Sequence, residues 1–185
     1  MSDAQNLKDT APAGARRKRM QMFRGDCPPQ LERDHLTVEG MDENVIAGFA
    51  KLQGCGAVAG LAEQTTRLFA EDDENGLSLV KVWFKSGNNL PRHSHSSDCI
   101  YYIIGGEARM GATTLKKGDG VFIPADHAYT LEAGPDGVEL LEFRNATRYN
   151  IFYKGNDEAH WERIAEGYRT RAELWRTELV PPSER

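Results

Sequence analysis

The chain has 185 residues, enough for one domain with a core of its own. It holds 39% hydrophobic and 28% charged residues and carries a formal net charge of −5. That acidic balance argues against nucleic acid as the main partner, because phosphate binding needs a basic surface, and no apolar run is long enough to span a membrane. Cys27, Cys55 and Cys99 are odd in number and irregularly spaced, which suits neither a disulfide framework nor a CxxC zinc site. Met1–Leu7 shows no charged region followed by an apolar run, so no signal peptide is expected and a cytoplasmic location is.

Residues 1–20 are polar and end in the basic run Arg16-Arg17-Lys18-Arg19; they read as a flexible, solvated tail. Residues 21–64 read as a helical and irregular extension. Within it, Asp42 caps a short helix carrying Val45, Ile46, Phe49 and Leu52 at helical spacing and stopping near Gly54. Gly54, Cys55, Gly56 and Gly60 have the spacing GxGxxxG rather than GxGxxG, and no clear strand precedes them, so they form a loop and not a nucleotide site.

From Thr65 the pattern changes to strands, and residues 65–150 are expected to form a barrel. Residues 65–70 lead through the acidic turn at Asp72–Gly76, with its Asn-Gly pair, into residues 77–84. That second segment is apolar on both faces, with Val80, Val82 and Phe84 on one and Leu77, Leu79 and Trp83 on the other, as in a barrel or sandwich. Further strands are expected at residues 100–104, 107–110, 120–123 and 138–144, punctuated by Gly105-Gly106, Gly111, Gly118, Pro124 and Gly134-Pro135. Many short strands with regular turn signals mean an all-β fold. Residues 151–185 switch back to helical period, with Asn156 or Asp157 as cap and an apolar stripe of Trp161, Ile164, Ala165, Tyr168, Ala172, Trp175 and Leu179. Two tryptophans on one stripe need a cover, either the barrel or a second subunit. Pro181-Pro182 ends the helix.

The chemistry concentrates in residues 87–107. His93 and His95 stand two apart, so on an extended segment both imidazoles face one side, about 7 Å apart along the strand, where they can grip one metal ion. In register with them stand Gly87 and Gly106, and further on Gly118 and Pro124. Over residues 65–145 this pattern resembles the two motifs of the cupin superfamily. The resemblance implies a double-stranded β-helix (a cupin jelly-roll barrel), to which the periodicity outside it adds an N-terminal helical segment and a C-terminal amphipathic helix. It also implies a pocket inside the barrel mouth, a metal held by the HxH pair and two further ligands, and a homodimer.

The departures bear on function. Where the family has its glutamate ligand this chain has Cys99, with Asp98 beside it. Where the family has its last histidine stands Tyr129, and the glycine after Pro124 is replaced by Asp126. His127 lies two positions before Tyr129, on the same face if the segment is extended. Three arrangements stay open: a metal held by His93, His95 and a set drawn from Cys99, Tyr129 and His127; a metal-free pocket lined by His, Tyr and Cys; or Asp98 swinging in as a carboxylate ligand. The ion would be Fe, Zn, Cu or Ni, since thiolate and imidazole suit these, and Tyr129 or His127 would serve as fourth ligand or proton donor. Cys99 also echoes the thiol dioxygenases, although its spacing is one residue short and the third histidine is out of register; otherwise it is a small buried core residue.

Glu142 is expected at a solvent-facing rim, Arg92 in solvent, and His35 and His160 exposed. Tyr101 and Tyr102 face opposite ways, so one lines the interior. The functional expectation is a metal-dependent enzyme of dioxygenase, lyase or isomerase type acting on a small oxygenated or carboxylated molecule. The rival is a metal-free binding or sensing module using the same pocket.

Overall fold

The computed structural model describes residues 19–26, 29 and 35–185; Cys27 and nearly all of the basic tail lie outside them. Two sheets make up the barrel. The larger runs β2 (Glu63–Ala70), β3 (Ser78–Phe84), β8 (Glu132–Arg144), β5 (Cys99–Met110) and β6 (Thr113–Lys116), with β7 (Gly120–Ile123) also paired to β5. The smaller runs β1 (Leu36–Glu39), β9 (Tyr149–Tyr153) and β4 (His93–Ser94). Sheet structure therefore reaches beyond residues 65–150 on both sides: β1 falls in the segment expected to be helical or irregular, and β9 crosses into the one expected to begin the helix.

Alternation sets the core. Along β5, Cys99, Tyr101 and Ile103 are buried while Ile100 and Tyr102 are exposed, as period-two side-chain direction requires. Val80, Val82 and Phe84 of β3 and Leu140 of β8 meet them to fill the interior. The expected break at Gly105-Gly106 is instead a bulged stretch of one continuous strand, with register shifts between Ile103 and Gly105 and between Gly106 and Ala108. Gly106 sits at φ 70°, and a Cβ there would stand 2.1 Å from the Gly137 carbonyl, so only glycine lets β5 and β8 stay paired through the bulge.

Helix α1 (Glu43–Gly54) begins where expected, with the Asp42 carboxylate accepting from the Val45 N–H at 2.8 Å. Helix α2 (Glu158–Thr177) is capped by Asp157. Both tryptophans of its stripe are covered by the chain itself. Trp161 lies against Phe49 of α1, ring centroids 5.2 Å apart, and against Gly48, where a Cβ would stand 2.1 Å from the indole. Trp175 packs with Leu61 and Ala62 and donates its indole N–H to the Ser86 carbonyl at 2.8 Å. Leu179, expected on the stripe, lies beyond the helix end and is exposed. Among the described residues no helix is long and apolar enough to cross a membrane.

Candidate functional site

A cavity of about 190 Å³ opens between the two sheets and the helices. Backbone pairing brings the two motif segments together beside it. His93 and Tyr129 form an isolated antiparallel bridge, with N–H to carbonyl distances of 3.1 and 2.9 Å. The His93 ring thereby lands 4.7 Å from the Tyr129 ring and 5.0 Å from the His95 ring, centroid to centroid. Both histidines line the cavity.

Hydrogen bonding fixes the tautomers. A carbonyl can only accept, so His93 Nδ1–H donates to the Pro91 carbonyl at 2.7 Å and His95 Nδ1–H to the Asn150 carbonyl at 2.6 Å. In the neutral form of either ring Nε2 is then an acceptor. Burial holds the His93 pKa below the usual imidazole value, outweighing the Pro91 hydrogen bond that favours the charged form. The Tyr129 hydroxyl, 3.2 Å from His93 Nε2, must therefore donate to it. Tyr129 oxygen in turn accepts from the Tyr101 hydroxyl at 2.6 Å. The chain runs in one direction, Tyr101 to Tyr129 to His93, and leaves the Tyr101 oxygen as an acceptor at the cavity wall. Burial pushes the phenols of Tyr101 and Tyr129 up, so both stay protonated.

Glu142 is the main residue that sequence reasoning misplaced. Expected at a solvent-facing rim, it is only 8% exposed, lies opposite Tyr101 in the β5–β8 register and lines the cavity. Its charge is tolerated because Arg144, two residues on and on the same inward face, lies 3.5 Å away. The signal was present in the sequence: Glu142 and Arg144 alternate in step with Leu140, and an inward carboxylate needs an inward cation. His35, expected to be exposed, is buried in the cavity wall with its ring 5.5 Å from that of Tyr149. His160 is half-buried, its Nε2–H donating to the Leu90 carbonyl at 3.2 Å. Arg92 is exposed as expected, and of the tyrosine pair Tyr101 faces inward.

His127 falls outside the site. Residues 125 and 126 form a turn, closed by the His127 N–H on the Pro124 carbonyl at 3.2 Å, and Asp126 takes φ 60° where the family has glycine. The segment is therefore not extended, and His127 is exposed rather than sharing a face with Tyr129. Asp98 is exposed too, its carboxylate accepting from the Ala125 N–H at 2.8 Å, so it does not swing in.

The metal implied by the resemblance does not fit these residues. Cys99 is buried in the barrel core and does not line the cavity; burial pushes its thiol up, whereas a metal ligand must be thiolate. Tyr129 occupies His93 Nε2, the atom an ion would need. Among the described residues no three His, Cys, Asp or Glu side chains gather closely enough to hold an ion.

The strand order, the inward alternation and the meeting of the two motif segments give this chain a cupin-type β-barrel fold. No protein-family model matches the chain, nor does any curated protein. Among solved structures it is similar to an RmlC-like cupin from Shewanella frigidimarina, at 24% identity and TM-score 0.41 over 46% of this chain and 77% of that one. It is also similar to the polyketide cyclase RemF from Streptomyces resistomycificus, at 15% identity and TM-score 0.48 over 59% and 82% of the two chains. A third is KdgF from Halomonas sp., at 22% identity and TM-score 0.39 over 45% and 79%. At such identities and TM-scores none of them carries an argument about this chain's activity.

Proposed function

We propose that this barrel is a metal-free pocket for a small, uncharged or cationic molecule bearing hydroxyl or amine donors. The observation that carries the reading is the acceptor-rich wall. Glu63 and Glu142 are the charged acidic residues of the lining, beside the His93 and His95 rings and the Tyr101 oxygen that ends the hydrogen-bond chain. No lysine or arginine lines the cavity among the described residues, and Arg144 behind the wall is already paired with Glu142, so a carboxylated ligand would meet like charge without a counter-ion of its own. A volume of about 190 Å³ falls below the ~300–1,000 Å³ of drug-sized sites, so the ligand is small. Leu90, Phe84 and Ile151 supply the apolar part of the wall. The Tyr101–Tyr129–His93 chain can take a proton that a ligand gives to the Tyr101 oxygen, passing the Tyr101 proton to Tyr129 and the Tyr129 proton to His93 Nε2, so proton-transfer chemistry is within its reach.

The rival reading, a resident Fe, Zn, Cu or Ni ion and an enzyme of dioxygenase, lyase or isomerase type, is favoured by one observation. Both Nδ1–H groups are committed to backbone carbonyls, as metal-ligating histidines commonly are. Metal content of the purified protein, beside His93→Ala/His95→Ala, separates the two. We expect sub-stoichiometric metal in the wild type, unchanged in the double variant, and binding of small polyols or amines that weakens in Tyr101→Phe. Near-stoichiometric metal lost with the histidines would refute the metal-free reading.

A homodimer is part of the proposal. Phe122, Ile100, Phe143 and Leu79 are cross-strand neighbours in one row across β7, β5, β8 and β3. The first three are 60%, 49% and 44% exposed, an apolar stripe of the kind that marks an interface. Sedimentation velocity should give a dimer, and Phe122→Asp/Phe143→Asp a monomer; a wild-type monomer at micromolar concentration refutes the pairing.

A further inference from the structure

A second cleft, of about 570 Å³, lies between α2 and the ends of β5 and β8. Its wall is charged, and the charges are unevenly partnered. Glu132 is taken by Arg109, and Glu166 by Arg169, 2.9 Å away. Arg163 and Arg171 have no carboxylate partner among the described residues. Arg163 is held in place by histidine: because His160 Nε2–H donates to the Leu90 carbonyl, Nδ1 accepts from Arg163 Nη2 at 3.0 Å. Arg171 is half-buried, with its guanidinium against Gly87, where a Cβ would stand 2.8 Å from Cζ. A partly desolvated guanidinium without an anion is costly, and the planar fork is suited to grip carboxylate or phosphate oxygens in pairs. Asn89 adds a neutral amide donor on the barrel side.

We infer that this cleft is a site for a small oxyanion, a phosphate or carboxylate group, gripped by Arg163 and Arg171 with Asn89 completing the donor set. The inference is independent of what the His93 cavity binds. The two cavities share Asn89 in their walls, but the charges they leave open differ: carboxylates line the first, whereas in the second the carboxylates Glu132 and Glu166 are paired and Arg163 and Arg171 are not. An anionic molecule that the first cavity rejects is the kind the second accepts.

The test is isothermal titration of the full chain at low ionic strength with inorganic phosphate and, separately, with acetate. Arg163→Gln/Arg171→Gln is compared with Arg176→Gln, whose residue pairs with Glu173 away from the cleft. Wild type and Arg176→Gln should bind alike, and the double variant at least about tenfold more weakly, a difference of about 1.4 kcal/mol. Preference for phosphate assigns a phosphoryl ligand, and preference for acetate a carboxylate. If the wild type binds neither, or if both variants bind as it does, the inference is overturned. Should the double variant not fold, amide shifts in the wild type decide on titration with phosphate or acetate: movement at Asn89, Gly111 and Gly167 supports the site, and its absence there overturns it.

Discussion

Replacing Glu142 by glutamine should be among the more damaging single changes in the barrel, and the reason lies with Arg144. The Arg144 side chain is 1% exposed, and its Nε and Nη2 have no hydrogen-bond partner among the described residues. Nη1 reaches Ser97 only at the edge of bonding distance, 3.4 Å to the hydroxyl and 3.5 Å to the carbonyl. The Tyr149 ring, 4.3 Å below the guanidinium, is present before and after the change. Among the described residues the carboxylate is thus the one charge paired with a buried cation. Breaking a buried pair by removing one partner costs about 3–5 kcal/mol, whereas replacing both can be close to neutral. At a 3.5 Å separation the low end, about 3 kcal/mol, is expected. Urea unfolding would read this as a midpoint shift of at least about 1 M at unchanged m, given m near 1–3 kcal/mol/M. Glu142→Gln/Arg144→Met should recover more than half of the loss. A single-variant cost below about 1 kcal/mol, or a double variant as unstable as the sum of its singles, would show that the two side chains are not coupled.

Other outcomes follow from the same packing and charge arguments. Burial holds the His93 pKa below its unfolded value near 6.5. Below that pH the unfolded chain binds more protons, so this contribution is complete above pH ~6.5 and is lost as pH falls toward the folded value. The slope from this group is at most about 1.4 kcal/mol per pH unit; His93→Gln should flatten it, and an unchanged profile would show that burial is not what depresses the pKa. Gly48→Ala improves helix propensity by up to about 1 kcal/mol, yet its Cβ meets Trp161, so a net loss of about 1–3 kcal/mol is expected by thermal melting; a stabilised variant would show that α1 and α2 can slide apart freely. Cys99, buried with its thiol pushed up, should resist iodoacetamide in the native state and react once urea unfolds the chain; native labelling mapped to Cys99 by mass spectrometry would contradict its place in the core.

The elements with strong local signals were legible in the sequence. Asp42 and Asp157 cap the two helices because a short acceptor at those positions satisfies orphan N–H groups before any tertiary contact forms. The alternation of residues 100–104 put Tyr101 and Tyr102 on opposite faces for an equally local reason, and the structure has Tyr101 inside. What failed to show were elements made only by long-range pairing. β1 has no alternation of its own and exists because Leu36–Glu39 lie in parallel register with Tyr149–Phe152. β4 has just two residues, His93 and Ser94, held by Tyr153, Phe152 and Tyr129. Glu142 misled because burial of a carboxylate depends on where its cation points. His127 misled because a positive-φ aspartate turned the chain one step before it.

On the proposed reading the cupin pattern transfers positions without transferring metal chemistry, and restoring the residues tests that distinction. Cys99 and Tyr129 stand where the resemblance puts a glutamate and a histidine, and both are buried on the inward side of the barrel. Tyr129→His removes the hydroxyl that occupies His93 Nε2 and adds a third imidazole on the backbone bridge to His93. Cys99→Glu adds the missing anion to β5. Either change alone leaves a gap: glutamate without the histidine faces Glu142 in the same interior, and histidine without the glutamate lacks a negative donor. The double variant Cys99→Glu/Tyr129→His should therefore gain metal that the wild type and both single variants lack, measured by mass spectrometry after dialysis against Fe, Zn, Cu or Ni. A folded double variant that stays empty would mean that the barrel places these positions too far apart for one ion, and that the missing ligand chemistry is not what bears on metal binding here.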